Sequence, residues 1–234
     1  MITWRLHIIN DILVASGNGK DARQIKHERN LDDLMKWHNN VIGGLTLIKL
    51  IKLWRISTQD GTFIVKSHAG PNVSVRVLSK LGLLRIVYCY RDPRDVLLSA
   101  VDHGNKILND GENHTFANMV DFDIALKKVK AWLPVWKAYA DMPEVLTIKY
   151  EEMMQDPVGV TKKIEGFLDI SVDSGKREEI LWKFSKDNSE GDRRGMHFNT
   201  ARSFRYVTEM TKEQKVKCKS EFGSYLEAME YDIE

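Results

Sequence analysis

A chain of 234 residues, 43% of them hydrophobic and 29% charged, is long enough to bury a core of its own and needs no covalent staple. Lysine and arginine number 35 against 33 aspartates and glutamates, a net charge of +2. That balance excludes a broad nucleic-acid surface but leaves room for a small basic pocket around one anion.

The opening stretch, MITWRLHIINDIL, lacks the apolar core and small-residue cleavage site of a secretory leader. Residues 3–15 read as a helix. Residues 16–40 are polar and charged and read as irregular. In VIGGLTLIKLIKLW (41–54) the apolar residues recur at helical spacing. The stretch is too short to span a bilayer and carries Lys49 and Lys52, so it predicts a helix docked on a core. GTFIVKSH (61–68) reads as a short buried strand ending in polar residues. GPNVSVRVLSKLG (70–82) suits a helix closed by glycine. LLRIVYCY (83–90) is a second strand, and Cys89 within it is a buried thiol. Cys218, the other cysteine, falls on a helix; the two make neither a metal pattern nor a disulfide framework, and a reducing cytoplasm is the expectation.

After the second strand comes DPRDVLLSAVDHGNKIL, with Asp92 as N-cap and Pro93 at the first helical position. Residues 116–140 form a long helical pattern on Leu126, Val129, Leu133 and Trp136, with a kink expected at Pro134. EVLTIKY (144–150) is a third strand, and 158–168, 178–184 and 212–229 read as helices. Strands separated by helices predict one α/β domain over residues 1–234, a parallel sheet covered on both faces. Ligands of such sheets sit beyond the carboxyl ends of the strands. Those ends carry Lys66, Ser67 and His68, then Arg91, then Tyr150.

The cluster YRDPRDVLLSA (90–100) therefore holds an arginine at a strand end just before a helix start. Free N–H groups of the first turn favour an anion, and Arg91 adds a planar fork for phosphate oxygens. Ser99 lies seven residues beyond the cap, about 10 Å along the axis, within reach of the same phosphate. The cluster reads equally well as a capped helix with a solvated Arg94 and a paired Asp95. In VKSH, Lys66 and His68 alternate onto one face. The histidine can take a proton from a hydroxyl while the lysine neutralises developing charge.

FIVKSHAGP, IVYCYRDPRDVLLSA and VLTIKYEEMMQDP, in this order, resemble the sulfotransferases that depend on 3′-phosphoadenosine 5′-phosphosulfate (PAPS). The resemblance extends over about residues 3–213. It implies a fold like that of the P-loop NTPases and transfer of a sulfuryl group from PAPS to a hydroxyl or amine, with PAP as product and no metal. It implies that Arg91 and Ser99 hold the 3′-phosphate, that His68 is the general base with Lys66 its helper, and that Tyr150 contacts adenine. ITW at the start resembles the end of the family's phosphate-binding loop, so Thr3 would bind phosphate and Trp4 would pack on adenine.

Two departures stand out. The strand before that loop, its lysine and its glycine turn do not precede Thr3, which implies a domain lacking its first strand. The usual arginine-lysine-glycine clamp corresponds to Asn199, Thr200 and Ala201. Nearby Arg193, Arg194, Arg202 and Arg205 are the replacement cations, Arg202 first among them. A rival expectation is a catalytically inactive nucleotide-binding protein of the same fold. A P-loop kinase ranks last, because no G-x-x-x-x-G-K-[ST] segment exists. The expected partner is a small-molecule or glycan acceptor, whose pocket 16–40 and 103–115 would line. No nucleic acid and no membrane span are expected.

Overall fold

Helix α1 (Thr3–Ala15) matches its predicted bounds and buries Ile8, Ile9 and Ile12. It belongs to a computed structural model that describes residues 3–36, 41–111, 116–185, 188 and 202–233, of residues 3–6 and 36 the backbone alone. Within the stretch expected to be irregular lies α2 (Ala22–Glu28). Asp21 caps it, accepting the Arg23 N–H at 2.7 Å, and Ile25 is fully buried beneath it. A capping aspartate ahead of good helix formers outweighs the polar composition.

Strand β1 (Met35–Lys36) pairs antiparallel with β2 (Val41–Ile42). The helix expected over 41–54 begins later, as α3 (Leu47–Asp60), capped by the Thr46 hydroxyl. Gly43 and Gly44 separate β2 from it and end the helical pattern there. Its Leu50, Leu53 and Ile56 face the core.

The strand expected over 61–68 does not join a ladder among the described residues. The segment touches its neighbours through two isolated parallel bridges, Gly19 with Thr62 and Val41 with Lys66. Lys20 N–H donates to the Thr62 carbonyl at 2.9 Å and Ile42 N–H to the Lys66 carbonyl at 2.8 Å. Its side chains still alternate as a strand's do. Ile64 packs with one core cluster, and Phe63 and Val65 pack with another. The alternation is what the sequence shows; the missing ladder is a matter of neighbours, which alternation does not encode.

Helix α4 (Val73–Lys80) starts at the Asn72 cap and closes as predicted at Gly82, φ +72°. Gly82 N–H bonds the Ser79 carbonyl and Leu83 N–H the Leu78 carbonyl, both at 2.9 Å, the two crossed bonds of a Schellman end.

The parallel ladder is β3 (Ile86–Tyr90) against β4 (Val145–Lys149). Its register runs from Ile86↔Val145 to Tyr90↔Lys149, so the two strands finish level. One face, with Val87, Cys89, Leu146 and Ile148, packs against α1 and α8 (Pro157–Leu168). The other face, with Ile86, Tyr88 and Val145, packs against α3 and Tyr139 of α6 (Phe122–Ala140). The fold is thus α/β, a parallel sheet flanked by helices on both faces.

Helix α5 (Pro93–Asn109) follows β3 directly, and a short 3₁₀ turn (Ala117–Val120) packs on it. There the backbone comes so close to Gly104 that an added Cβ would lie 2.8 Å from the Phe116 carbonyl oxygen. Helix α6 runs helical through Pro134. After β4 come α7 (Tyr150–Gln155), α8, and α9 (Ser174–Lys183). Helix α9 starts four residues earlier than predicted because Asp173 caps it through the N–H groups of Gly175 and Lys176. The chain closes with α10 (Arg205–Glu209) and α11 (Lys212–Ala228), whose Cys218, Phe222 and Leu226 join α5 and α6 in a third core cluster. No helix among the described residues is long and apolar enough to cross a membrane.

Candidate functional site

Because β3 and β4 end level, the residues that follow them, Arg91 and Tyr150, come side by side. The Arg91 guanidinium lies over the Tyr150 ring, 4.4 Å from its centroid. Tyr150 is buried at the start of α7. A second contact fixes the arginine along α5: its Nη2 donates to Asp95 Oδ2 at 2.7 Å. The same Nη2 donates to the carbonyl of Arg202, so the arginine also holds the chain that leads into α10. Asp95 is fully buried and uses its other oxygen to accept the N–H of Tyr206 at 3.1 Å. Arg91 Nε is buried with no partner among the described residues. That N–H calls for an acceptor, a ligand or a water.

The start of α5 departs from the capped-helix reading of its charged cluster at one residue, Arg94. Asp92 and Pro93 cap the helix as predicted, with Arg94 N–H donating to Asp92 Oδ1 at 2.8 Å. Arg94, however, is not solvated. It is 3% exposed, bound at 2.7 Å to Asp92 Oδ2, and lies 3.6 Å from the centroid of the Tyr206 ring. Burial pushes the Asp92 carboxyl up, against the pull of Arg94. The Arg94 guanidinium stays charged, its pKa raised by that pairing against its own burial. Ser99 stands half-buried two turns along the same helix. Both of its predicted phosphate partners are therefore on one element, the arginine at its entrance and the serine within it.

Lys66 and His68 lie at the end of the 61–68 segment. Ser67 between them donates its hydroxyl to the Gly43 carbonyl at 3.4 Å and accepts the Ala69 N–H at 3.1 Å. The Ala69 carbonyl accepts from the Tyr139 hydroxyl at 2.8 Å, and the Tyr139 ring stacks on Tyr88 of β3 at 4.9 Å. This ties the end of the segment to the face of the sheet. Burial lowers the Lys66 pKa. His68 is exposed as a residue, yet partial desolvation of its ring and then the Lys66 charge hold its pKa below the ordinary histidine value. Its neutral form is favoured, as a proton acceptor needs.

Of the remaining expected residues, Thr3 and Trp4 open α1, and their side chains lie outside the described residues. So do Arg193, Arg194, Asn199, Thr200 and Ala201. Arg202 is exposed and meets Arg91 through its carbonyl. Arg205 is committed elsewhere, paired with Asp102 at 2.8 Å and Glu209 at 2.7 Å, and so does not serve as a free cation. Two groups escaped the sequence reading. Glu151, next to Tyr150, is 5% exposed, and the Tyr231 hydroxyl donates to its Oε2 at 2.7 Å. Nothing in an acidic chain end marks Tyr231 as a site residue. Among the described residues no cluster of three or more His, Cys, Asp or Glu is arranged to hold a metal.

The chain matches the model of the sulfotransferase domain over residues 3–233. It is 30% identical over 140 residues to the luciferin sulfotransferase of Photinus pyralis, a stretch covering 57% of this chain and 37% of that protein. It is 28% identical over 155 residues to cytosolic sulfotransferase 13 of Arabidopsis thaliana, 61% of this chain and 48% of that protein. The matched stretches thus span less than half the length of these curated relatives. The solved structure of mouse sulfotransferase SULT7A1 complexed with PAP superposes with a TM-score of 0.55, covering 93% of this chain and 88% of that one. At 17% identity this is a likeness of fold.

Proposed function

The chain belongs to the sulfotransferase domain family, and from that premise we propose that its 234 residues act as a single domain that binds PAPS and transfers the sulfuryl group to a hydroxyl or amine. The observation that carries this reading is Arg91. It is a nearly buried guanidinium at a strand end, beside a helix start, with an Nε that has no partner among the described residues and a Tyr150 ring beneath it. These residues suit the 3′-phosphate of an adenosine nucleotide. Arg91 would bind it, Ser99 would donate a hydroxyl, and Tyr150 would meet the base.

His68 removes the acceptor proton as the acceptor oxygen bonds to sulfur and the bond from sulfur to the 5′-phosphate oxygen breaks. The electron pair leaves with that phosphate, and PAP departs. Burial and then the Lys66 charge keep His68 neutral beforehand, and Lys66 offsets charge on the transferred group. Most of the rate enhancement is positioning and electrostatics, as in phosphoryl transfer. Thr3 and Trp4 are assigned to the 5′ side of the nucleotide, and Arg202 to the outer edge of the site. The acceptor is a small molecule or a glycan, and the setting is cytoplasmic.

The test is calorimetric titration with PAP of the wild type and Arg91→Ala. A charge-assisted hydrogen bond is worth ~1.5–3 kcal/mol, so affinity should fall roughly 10–150-fold. Equal affinity in the two proteins would remove the 3′-phosphate from this site.

A further inference from the structure

Where β3, α5 and α7 meet, three carboxyl groups stand against two guanidinium groups. Asp92, Asp95 and Glu151 are buried, as is Arg94, and the Arg91 side chain is 10% exposed. The pairs are settled: Arg94 takes Asp92 and Arg91 takes Asp95, each at 2.7 Å. Glu151 is the surplus acid. Its Oε2 accepts from Tyr231, and its Oε1 is buried with no partner among the described residues. Around it stand Arg91 and Asp92 beyond the end of β3, Tyr90 within β3, and Tyr231 from the chain end, while Lys149 of β4, 5.2 Å from the Tyr231 ring centroid, is paired with Glu230 at 3.3 Å and adds no net charge.

We propose that Glu151 is a positioning residue for the anion site at Arg91: protonated, it leaves the cluster neutral and Arg91 open to a phosphate; ionised, it opposes that phosphate. The charge count carries the inference. With Glu151 ionised the five groups sum to −1, and with Glu151 protonated they sum to zero. A phosphate arriving at Arg91 adds negative charge to a buried region and draws a proton onto the one carboxyl that has no cation. Burial, and after it Asp92, already pushes Glu151 above the usual glutamate value, against the hydrogen bonds from Tyr231 and its own backbone N–H and the Arg91 charge. Tyr231 donates to the ionised form, so it sets the pH at which the proton is lost. This inference rests on the nucleotide reading above, and its test separates the two.

PAP affinity is measured at about pH 6 and about pH 8.5 for the wild type, Glu151→Gln and Tyr231→Phe. Ionisation of the ligand's own phosphates is common to all three. At the higher pH Glu151→Gln should bind at least tenfold tighter than the wild type, the effect of one charge several ångströms away at an effective dielectric near 20. At the lower pH the difference should shrink. Tyr231→Phe removes the donor to the ionised carboxylate and should move the wild-type weakening to higher pH. Glu151→Gln binding no tighter at about pH 8.5, or by the same ratio at both pH values, overturns the proposal. If the wild type binds PAP at neither pH, the nucleotide reading fails. The charge argument then answers to the ligand-free protein, through carbon-13 titration of the Glu151 carboxyl, assigned by its loss in Glu151→Gln. A midpoint above the ordinary glutamate range, raised further in Tyr231→Phe, supports the surplus-acid role. A midpoint at the ordinary value overturns it.

Discussion

Asp95 holds Arg91 across one turn of α5 at 2.7 Å, and it does so as a fully buried carboxylate. Its second oxygen accepts the N–H of Tyr206, 111 residues further along the chain. Removing it strands both a guanidinium and a backbone donor. Breaking a buried pair from one side typically costs 3–5 kcal/mol. We expect Asp95→Ala to lower the unfolding free energy measured in urea by about that much, and Arg91→Ala/Asp95→Ala to cost less than the sum of the single changes. A loss below about 1 kcal/mol in the single variant would mean that the pair is not formed in solution.

The base assigned to His68 should leave a mark on the pH profile. Desolvation and then Lys66 hold its pKa down, so the acid limb of kcat/KM should lie below the ordinary histidine value. Replacing Lys66 with glutamine removes a positive neighbour. The histidine pKa rises, and the limb moves to higher pH. Independently of that shift, His68→Ala should lower turnover roughly 10²–10⁴-fold while PAP affinity stays nearly unchanged. An acid limb that Lys66→Gln leaves in place assigns the base elsewhere.

Gly104 tests the packing beneath the site. A methyl there meets the Phe116 carbonyl oxygen at 2.8 Å and the Val120 nitrogen at 3.0 Å, both backbone atoms that cannot swing aside. Gly104→Ala should destabilise by about 1–3 kcal/mol despite the better helix propensity of alanine. Thermal unfolding checks it, and an unchanged or raised Tm would show that the 3₁₀ turn yields.

Glu165 and Arg177 give a stability term with a definite sign. The fork bonds Glu165 at 2.6 Å and 2.8 Å, and Arg177 Nη2 also donates to the Val172 carbonyl at 2.7 Å. The arginine hydrogen bonds lower the Glu165 pKa in the fold. Its contribution is therefore complete above the ordinary glutamate value and is lost as pH falls through the lower folded value. Glu165→Gln should flatten that part of the stability curve below about pH 4.5. Parallel curves for variant and wild type would rule the pair out as a source of acid lability.

Much of this was legible because the signals are local. Asp92 and Pro93 announce a helix start within two residues, Gly82 ends a helix at its own φ, and two apolar runs of strand length became β3 and β4. The convergence of Arg91 and Tyr150 followed from their places at strand ends, and register made it a contact. What the sequence hid are relationships between distant segments. The burial of Arg94 depends on Tyr206, and the Glu151–Tyr231 bond spans 80 residues. Both involve residue types that are ordinarily solvated, so composition pointed away from them. The 61–68 segment failed in the opposite sense, since it has the alternation of a strand but a bridge, not a ladder, at each end.

That segment has a kinetic consequence. Those amides of β3 and β4 that bond across the ladder exchange with solvent only when the ladder opens. Near Lys66 and His68 the described backbone is held by single bonds at Thr62 and Lys66, by the Ser67 hydroxyl at Gly43 and Ala69, and by the Tyr139 hydroxyl at Ala69. Openings there break isolated bonds and not a ladder, which places them below opening of the sheet in free energy. The residue proposed as proton acceptor thus sits on a part of the fold that opens more readily than the part holding the arginine proposed to grip the nucleotide.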